Sequence, residues 1–372
     1  MDYSKFQTTT DRSDMFYWQG DRPFDPIETK EIFLDRHETY DENVAKAAVS
    51  YGMQQAGKSE TDAEVVHIDP SIVVGSVNIV CRAVLKDETA VIIRMHPQKI
   101  HNGYFWSESV ASQIAKDNGV PTYTTYFVDD SQSKFDFDYM IMECVPGKNI
   151  RKDMWPLSKE LDKKIAQETG YWAAKINSIA TSGYGFFDNA KAKKEKKLAG
   201  VHTKWEEHLF AANEKNIGYL EDKQVITNEE RKTIDAIFDT KKSYINCENP
   251  KLIQNDIADW NELASDDGTI TGVLDWDECF SGDPIMEIAA WSLFFGGERL
   301  ENFFIGYRKV IEAEGGFEEK YHIYRLRYVL SKLAMRKKKT EFTYYDTQFQ
   351  RSLVNVGLEA LREELTWQST HH

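Results

Sequence analysis

Apolar positions along the chain follow two rhythms. Between residues 63 and 97, AEVVHIDPSIVVGSVNIVCRAVLKDETAVIIRMHP, they alternate with polar ones or run in β-branched stretches between turn residues. That spacing predicts a small antiparallel sheet. Strands are expected again at 123–128 and 139–144, on either side of the polar hairpin DDSQSKFDFD. Two helices interrupt this part. One covers 41–57, with Asp41 as N-cap and Gly57 as stop. The other covers FWSESVASQIAKDNG and ends at Asn118-Gly119, with Pro121 beyond. Pro146-Gly147 marks a boundary on turn chemistry.

After that boundary the period becomes helical. LSKELDKKIAQETGYWAAKINSIATSGYGFFD reads as a helix ending in a glycine-rich turn, with Trp172, Ile176 and Ile179 in the core. Residues 201–245 read as two helices, and 287–364 as helical again, with Phe294, Phe295, Phe303, Phe304 and Tyr307 as core stripes. The charge runs KAKKEKK (191–197) and MRKKKT (335–340) read as solvated faces. The division expected is an extension and helix over 1–60, a sheet-rich lobe over 61–145 and a helical lobe over 146–372. The fold class is α+β.

Composition narrows the field. The 372 residues are 41% hydrophobic and 13% aromatic, enough for a sizeable core. No apolar run approaches the ~20 residues of a membrane span, and the N-terminus lacks the basic-then-apolar order of a signal peptide. Cys81, Cys144, Cys247 and Cys279 show no metal spacing, which reads as reduced thiols in a cytoplasm. The formal charge of -15 argues against nucleic acid as partner and would draw cationic ligands.

The stretch LIQNDIADWNELASDDGTITGVLDWDECFSGDPIMEIAAW, residues 252–291, breaks both rhythms. Asp256 and Asn261 lie in a loop. Asp266-Asp267-Gly268 then turns a hairpin, and its second strand stops at Asp275. Loop and hairpin together bring three oxygen donors near one point. Carboxylate and amide oxygens suit Mg²⁺, which keeps water and phosphate as its other ligands.

The order Asp256, Asn261, hairpin, Leu274-Asp275-Trp276-Asp277, Gly282-Asp283-Pro284 and Glu287 resembles the aminoglycoside phosphotransferase and choline-kinase-like superfamily, relatives of the protein kinases. The resemblance runs from about residue 63 to 291 and implies a bilobal kinase-like fold. It implies a Mg²⁺-dependent kinase moving the γ-phosphoryl of ATP or GTP to an alcohol, with Asp256 as catalytic acid–base group and Asn261 and Asp275 on the metal. It further implies that Arg94 contacts the phosphates, that Glu108 pairs with Arg94, and that Gly75, Ser76 and Asn78 form the nucleotide-covering turn. Glu143 and Val145 fall in the linker that meets the adenine edge through backbone groups. The acceptor implied is a small, cationic molecule such as an aminoglycoside, which would make this an antibiotic-resistance activity. Choline, a sugar amine, homoserine or a macrolide, or a nucleotide-binding pseudokinase, stay open. Asp277, Glu278 and Glu287 are candidate holders of a cation. Where the superfamily has His-Gly before its catalytic Asp, this chain has Gln254-Asn255.

Overall fold

The computed structural model describes residues 41–70, 78–99, 101–312, 316–341 and 347–370. Gly75, Ser76 and the leading 40 residues lie outside them. In chain order the first part runs α1 (Glu42–Gln55), β1 (Val65–Ile68), β2 (Ile79–Leu85), β3 (Ala90–Met95), α2 (Phe105–Asp117), β4 (Thr125–Asp129) and β5 (Tyr139–Glu143). The second part is β6 (Lys148–Asn149), α3 (Lys159–Ile176), β7 (Tyr184–Phe187), α4 (Asn189–Glu195), β8 (Gly200–His202), α5 (Trp205–Phe210), α6 (Asn213–Asp222) and α7 (Asn228–Thr240). It continues through β9 (Lys251–Ile253), β10 (Glu262–Ala264), β11 (Ile270–Val273), β12 (Phe280–Gly282), α8 (Ile285–Trp291), α9 (Glu298–Tyr307), α10 (Phe317–Lys339) and α11 (Thr347–Thr370). This is the expected α+β fold: an antiparallel sheet first, then a mostly helical part.

The first sheet has strand order β1-β2-β3-β5-β4, antiparallel throughout. Period-2 alternation decides what each face holds. Val91 and Ile93 of β3 and Ile141 of β5 pack in a core with α1. Asp41 caps α1, accepting from the Asn43 amide at 2.8 Å. A Cβ on Gly52 would meet Ile141 at 2.4 Å, so this helix lies tight on the sheet. The sequence grouped α1 with the leading segment, yet it shares its core with the strands. The opposite face, with Met140 and Met142, joins a second core that includes α2 and continues into the helical part. Arg94 is on that second face, toward α2. At the boundary Gly147 has φ +140°, and a Cβ there would meet Thr271 Oγ1 at 2.3 Å, so the crossing admits only glycine without strain.

Three expectations need correction. Residues 201–245 form three α-helices and a 3₁₀ turn, not two helices. The added break comes at Ala211-Ala212, next to the Leu209 carbonyl to which buried Arg327 donates at 3.1 Å. Phe294 is not core but 38% exposed. The MRKKKT run is not solvated either: it is the end of α10, where Lys338 is buried and Arg336 and Lys339 are half-buried.

α3 and α9 touch backbone to backbone. A Cβ on Gly306 would meet the Gln167 carbonyl at 1.8 Å, and one on Gly170 the Phe303 carbonyl at 2.0 Å. Overpacking a core commonly costs ~1–3 kcal/mol, and backbone cannot swing aside. Gly306→Ala is therefore expected to lower the melting temperature by several degrees, read by calorimetry; an unchanged melt would show that the helices can part.

Candidate active site

Strand β9 delivers the chain into a loop, residues 254–261, that rests on one buried acid. Glu287 of α8 is wholly buried. Its Oε2 accepts the Gln254 amide at 2.7 Å, and its Oε1 accepts the Asn255 amide at 2.9 Å. Asn177 Nδ2 adds a third donor at 3.4 Å. Burial pushes the Glu287 carboxyl up to about 7, while the three N–H groups pull it down. Glu287 thus holds the loop, and the expectation of Glu287 as a cation holder is corrected: its oxygens are already taken by N–H donors.

Gln254 carries the next connection. Its side-chain oxygen accepts from the Asp256 amide at 2.7 Å. Its NH₂ donates to the carbonyls of Asp275 (2.7 Å) and Leu274 (3.0 Å). One carboxamide therefore ties the Asp256 loop to the end of β11. Asn255 has φ +71°, a conformation Asn tolerates, and Tyr328 donates to its Oδ1.

The three oxygen donors named from the sequence come together here. Asn261 Nδ2 donates to Asp256 Oδ2 at 2.7 Å and to the Asp256 carbonyl at 3.0 Å. The Leu274 amide donates to the Asn261 carbonyl at 2.8 Å, which brings Asp275 alongside. Trp260 Nε1 also reaches Asp256 Oδ2, at 3.2 Å. Arg299 of α9 grips Asp259 in the same loop with two bonds, 2.6 and 2.8 Å. The half-buried Asp256 carboxyl is pushed up to about 8, first by burial and then by Glu278, with Lys332 and the Trp260 bond acting against them.

Arg94 enters from the sheet. It is buried, pairs with Glu108 of α2, and its Nη2 lies 3.0 Å from Asp275 Oδ1 and 4.0 Å from Asp277 Oδ2. Burial opposes its charge, but Asp275, Glu108 and Asp277 outweigh that and hold the guanidinium well above its usual value. Tyr123 donates to Glu108 Oε1 at 2.6 Å. Burial pushes the Glu108 carboxyl up, and the Arg94 charge with the bonds from Tyr123 and Arg94 acts against it.

Trp276, between the two acids, is wholly buried and donates to Thr122 Oγ1 at 3.0 Å. The sequence did not single it out as an anchor, although its place between two acids was a usable signal. Asp275 itself has φ +59°, strain that this anchoring sustains.

Other named residues lie apart. Asn78 is buried with its Oδ1 2.9 Å from His96 Nδ1 and its Nδ2 donating to Tyr104 at 3.4 Å. Glu143 accepts from Lys116 at 2.6 Å and from the Thr124 amide at 3.0 Å. Val145 packs beside Gly272.

A family model for the phosphotransferase enzyme family, APH, matches residues 108–320. The chain belongs to this family. No curated protein matches this phosphotransferase. Among solved structures it is similar to a thermostable mutant of aminoglycoside phosphotransferase APH(4)-Ia in ternary complex with AMP-PNP and hygromycin B. The TM-score is 0.59 at 17% identity, covering 84% of this chain and 98% of that one. A Thermobifida fusca protein assigned as a fructosamine-3-kinase gives 0.58 at 17%, over 85% and 99%. Macrolide 2'-phosphotransferase MphH from Brachybacterium faecium gives 0.52 at 13%, over 84% and 98%. At such identities the likeness is one of fold.

Two outcomes follow for the phosphotransferase. Gln254→Ala should cut the acceptor-free ATP hydrolysis rate by about 10²-fold, the scale of a 1 Å misplacement, while Gln254→His should lose less than about tenfold; equal losses would show that Gln254 is not the tie. Asp256 supplies a pH test. Its folded value lies above the ordinary 3.8, so the stability it contributes is present at low pH and lost as pH rises through about 8. The gain in melting temperature of Asp256→Asn over wild type should grow from about pH 5 to about pH 9; a constant gain would contradict the raised value.

Proposed function

We propose that this phosphotransferase transfers the γ-phosphoryl group of ATP, or of GTP, to a hydroxyl of a small molecule. The observation that carries the reading is the meeting of Asp256, Asn261 and Asp275 around one loop, with the buried Arg94–Glu108 pair against Asp275. Asp256 takes or orients the proton of the acceptor hydroxyl. The hydroxyl oxygen attacks the γ-phosphorus, the bond from that phosphorus to the β,γ-bridging oxygen breaks, and the nucleoside diphosphate leaves with the electron pair. Arg94 steadies the phosphates with its fixed charge, and Glu108 and Tyr123 aim it.

The donor set fits a Mg²⁺ ion. Asp275, 38% exposed at its side chain, and the amide oxygen of Asn261 are hard oxygen donors; Asp275 Oδ1 is paired with Arg94 Nη2 at 3.0 Å, which leaves its second carboxylate oxygen to meet an ion. Asn261 and Asp275 would hold the ion, which supplies charge neutralisation at the phosphates when bound. Gly75, Ser76 and Asn78 cover the nucleotide. The Asn78 side chain is engaged by His96 and Tyr104. Glu143 and Val145 present backbone groups to the base.

The nucleotide lobe is 61–145, with α1 against its back, and the acceptor lobe is 146–372. No helix among the described residues is long and apolar enough to cross a membrane, and an ATP donor fits a cytoplasmic site of action. The bonds that Gln254 makes favour a working enzyme over a pseudokinase. A cationic, aminoglycoside-type acceptor is supported by the net charge and by fold likeness alone.

Asp256→Asn and Asp275→Asn should both abolish transfer. Only Asp275→Asn should weaken Mg·ATP binding strongly, about tenfold or more by calorimetry; equal weakening would reverse the assigned roles.

A further inference from the structure

Helix α10 carries Tyr324, Tyr328, Lys332, Arg336 and Lys339 at spacings of four and three, which puts them on one face. That face is docked at two points: Tyr324 donates to Asp283 Oδ2 at 3.0 Å, and Tyr328 donates to Asn255 Oδ1. One turn further on, Lys332 Nζ lies 5.4 Å from the centre of the Phe294 ring. Phe294 stands edge-on to Trp260 at 5.0 Å, and Trp260 bonds Asp256 at 3.2 Å. Lys332 therefore shares an aromatic pair with the catalytic carboxyl. Arg336 comes next and donates to the Leu353 carbonyl of α11 at 3.3 Å. Lys339 follows, close enough to feel both of its basic neighbours.

All three cations are half-buried. Gathering like charges partly out of water is unfavourable. Burial pushes the Lys332 ammonium down, against Glu278 and Asp256. Lys339 falls to about 8 through burial and through repulsion from Lys332 and Arg336, with Glu278 acting the other way. Such an accumulation beside a reactive carboxyl is the mark of a ligand site. The aromatic pair gives a second, independent sign. Trp260 is 36% exposed and Phe294 38%, while Phe303 and Tyr307 of the same aromatic stripe are buried. An exposed pair of aromatic rings next to cations suits a ring or carbon chain bearing an anion. Arg94 is engaged by Glu108, Asp275 and Asp277, at the nucleotide side.

We propose that the acceptor carries a negative charge, a carboxylate or phosphate group, that docks on Lys332, Arg336 and Lys339 while its carbon skeleton rests on Trp260 and Phe294. This rests on the kinase reading above, and the transfer step is the one written there. A polycation would meet like charge at this place, whatever the net charge of the whole chain.

The test uses the full chain without nucleotide, titrated by calorimetry with glucose, glucosamine, gluconate, glucose 6-phosphate and inorganic phosphate. At least one anion should bind about tenfold or more tighter than glucose, the responding arm naming the group, and glucosamine should bind no tighter than glucose. Arg336→Gln combined with Lys339→Gln should weaken anion binding about tenfold, and Lys339→Gln alone serves if the double variant fails to fold. Tighter binding of glucosamine, no binding by any anion, or anion binding untouched by these changes overturns the proposal. Mg·ATP titrated in parallel separates the two readings. Anion binding that depends on Arg336 and Lys339 without Mg·ATP binding removes the kinase and keeps the anion site. Mg·ATP binding with a preference for glucosamine does the reverse.

Discussion

A buried carboxyl group that accepts two successive backbone amides is what the loop carrying Asp256 and Asn261 depends on. Glu287 receives the N–H groups of Gln254 and Asn255. Two N–H vectors on one carboxyl group fix the entry of the loop, since burial makes an unmade bond costly. From there the order passes outward through the Gln254 carboxamide to both Asp256 and Asp275. Gln254 can serve both connections because one carboxamide both accepts and donates.

Charge is arranged in two separate centres. Arg94 is buried with three acids around it, so it stays a fixed cation that faces Asp275. Taking a guanidinium out of water is expensive, and Glu108 with Tyr123 behind it offsets that cost and fixes the aim. On α10 the balance is reversed. Lys332 is set against Glu278 and Asp256, with Arg336 and Lys339 beside it, so the two centres present different fields. The overall charge of -15 is spread over the chain and does not describe either end.

Packing explains how distant segments reach this place. The close approach of α3 and α9 at Gly170 and Gly306 carries Arg299 to Asp259. Trp276 is pinned to Thr122, and the Val273 amide donates to the Pro121 carbonyl at 2.7 Å, so the end of β11 is registered against the segment that follows α2.

Local rules were enough for much of this. Alternation around residues 79–95 wrote the sheet, and the cap at Asp41 and the stop at Gly119 bounded two helices, because these signals act within a few residues. Asp-Gly at 267–268 placed the hairpin, and the spacing from Asp256 to Asp275 named the oxygen donors. What the sequence did not determine is what lies between elements far apart in it. Sequence alone offers Glu287 as a cation holder because its two partners are 32 and 33 residues away. The basic run at 335–340 was read as solvated because only the docking of Tyr324 and Tyr328 turns that face inward. Residue types and short spacings state which groups exist and which element carries them; the direction each side chain faces is decided by the contacts of the assembled core.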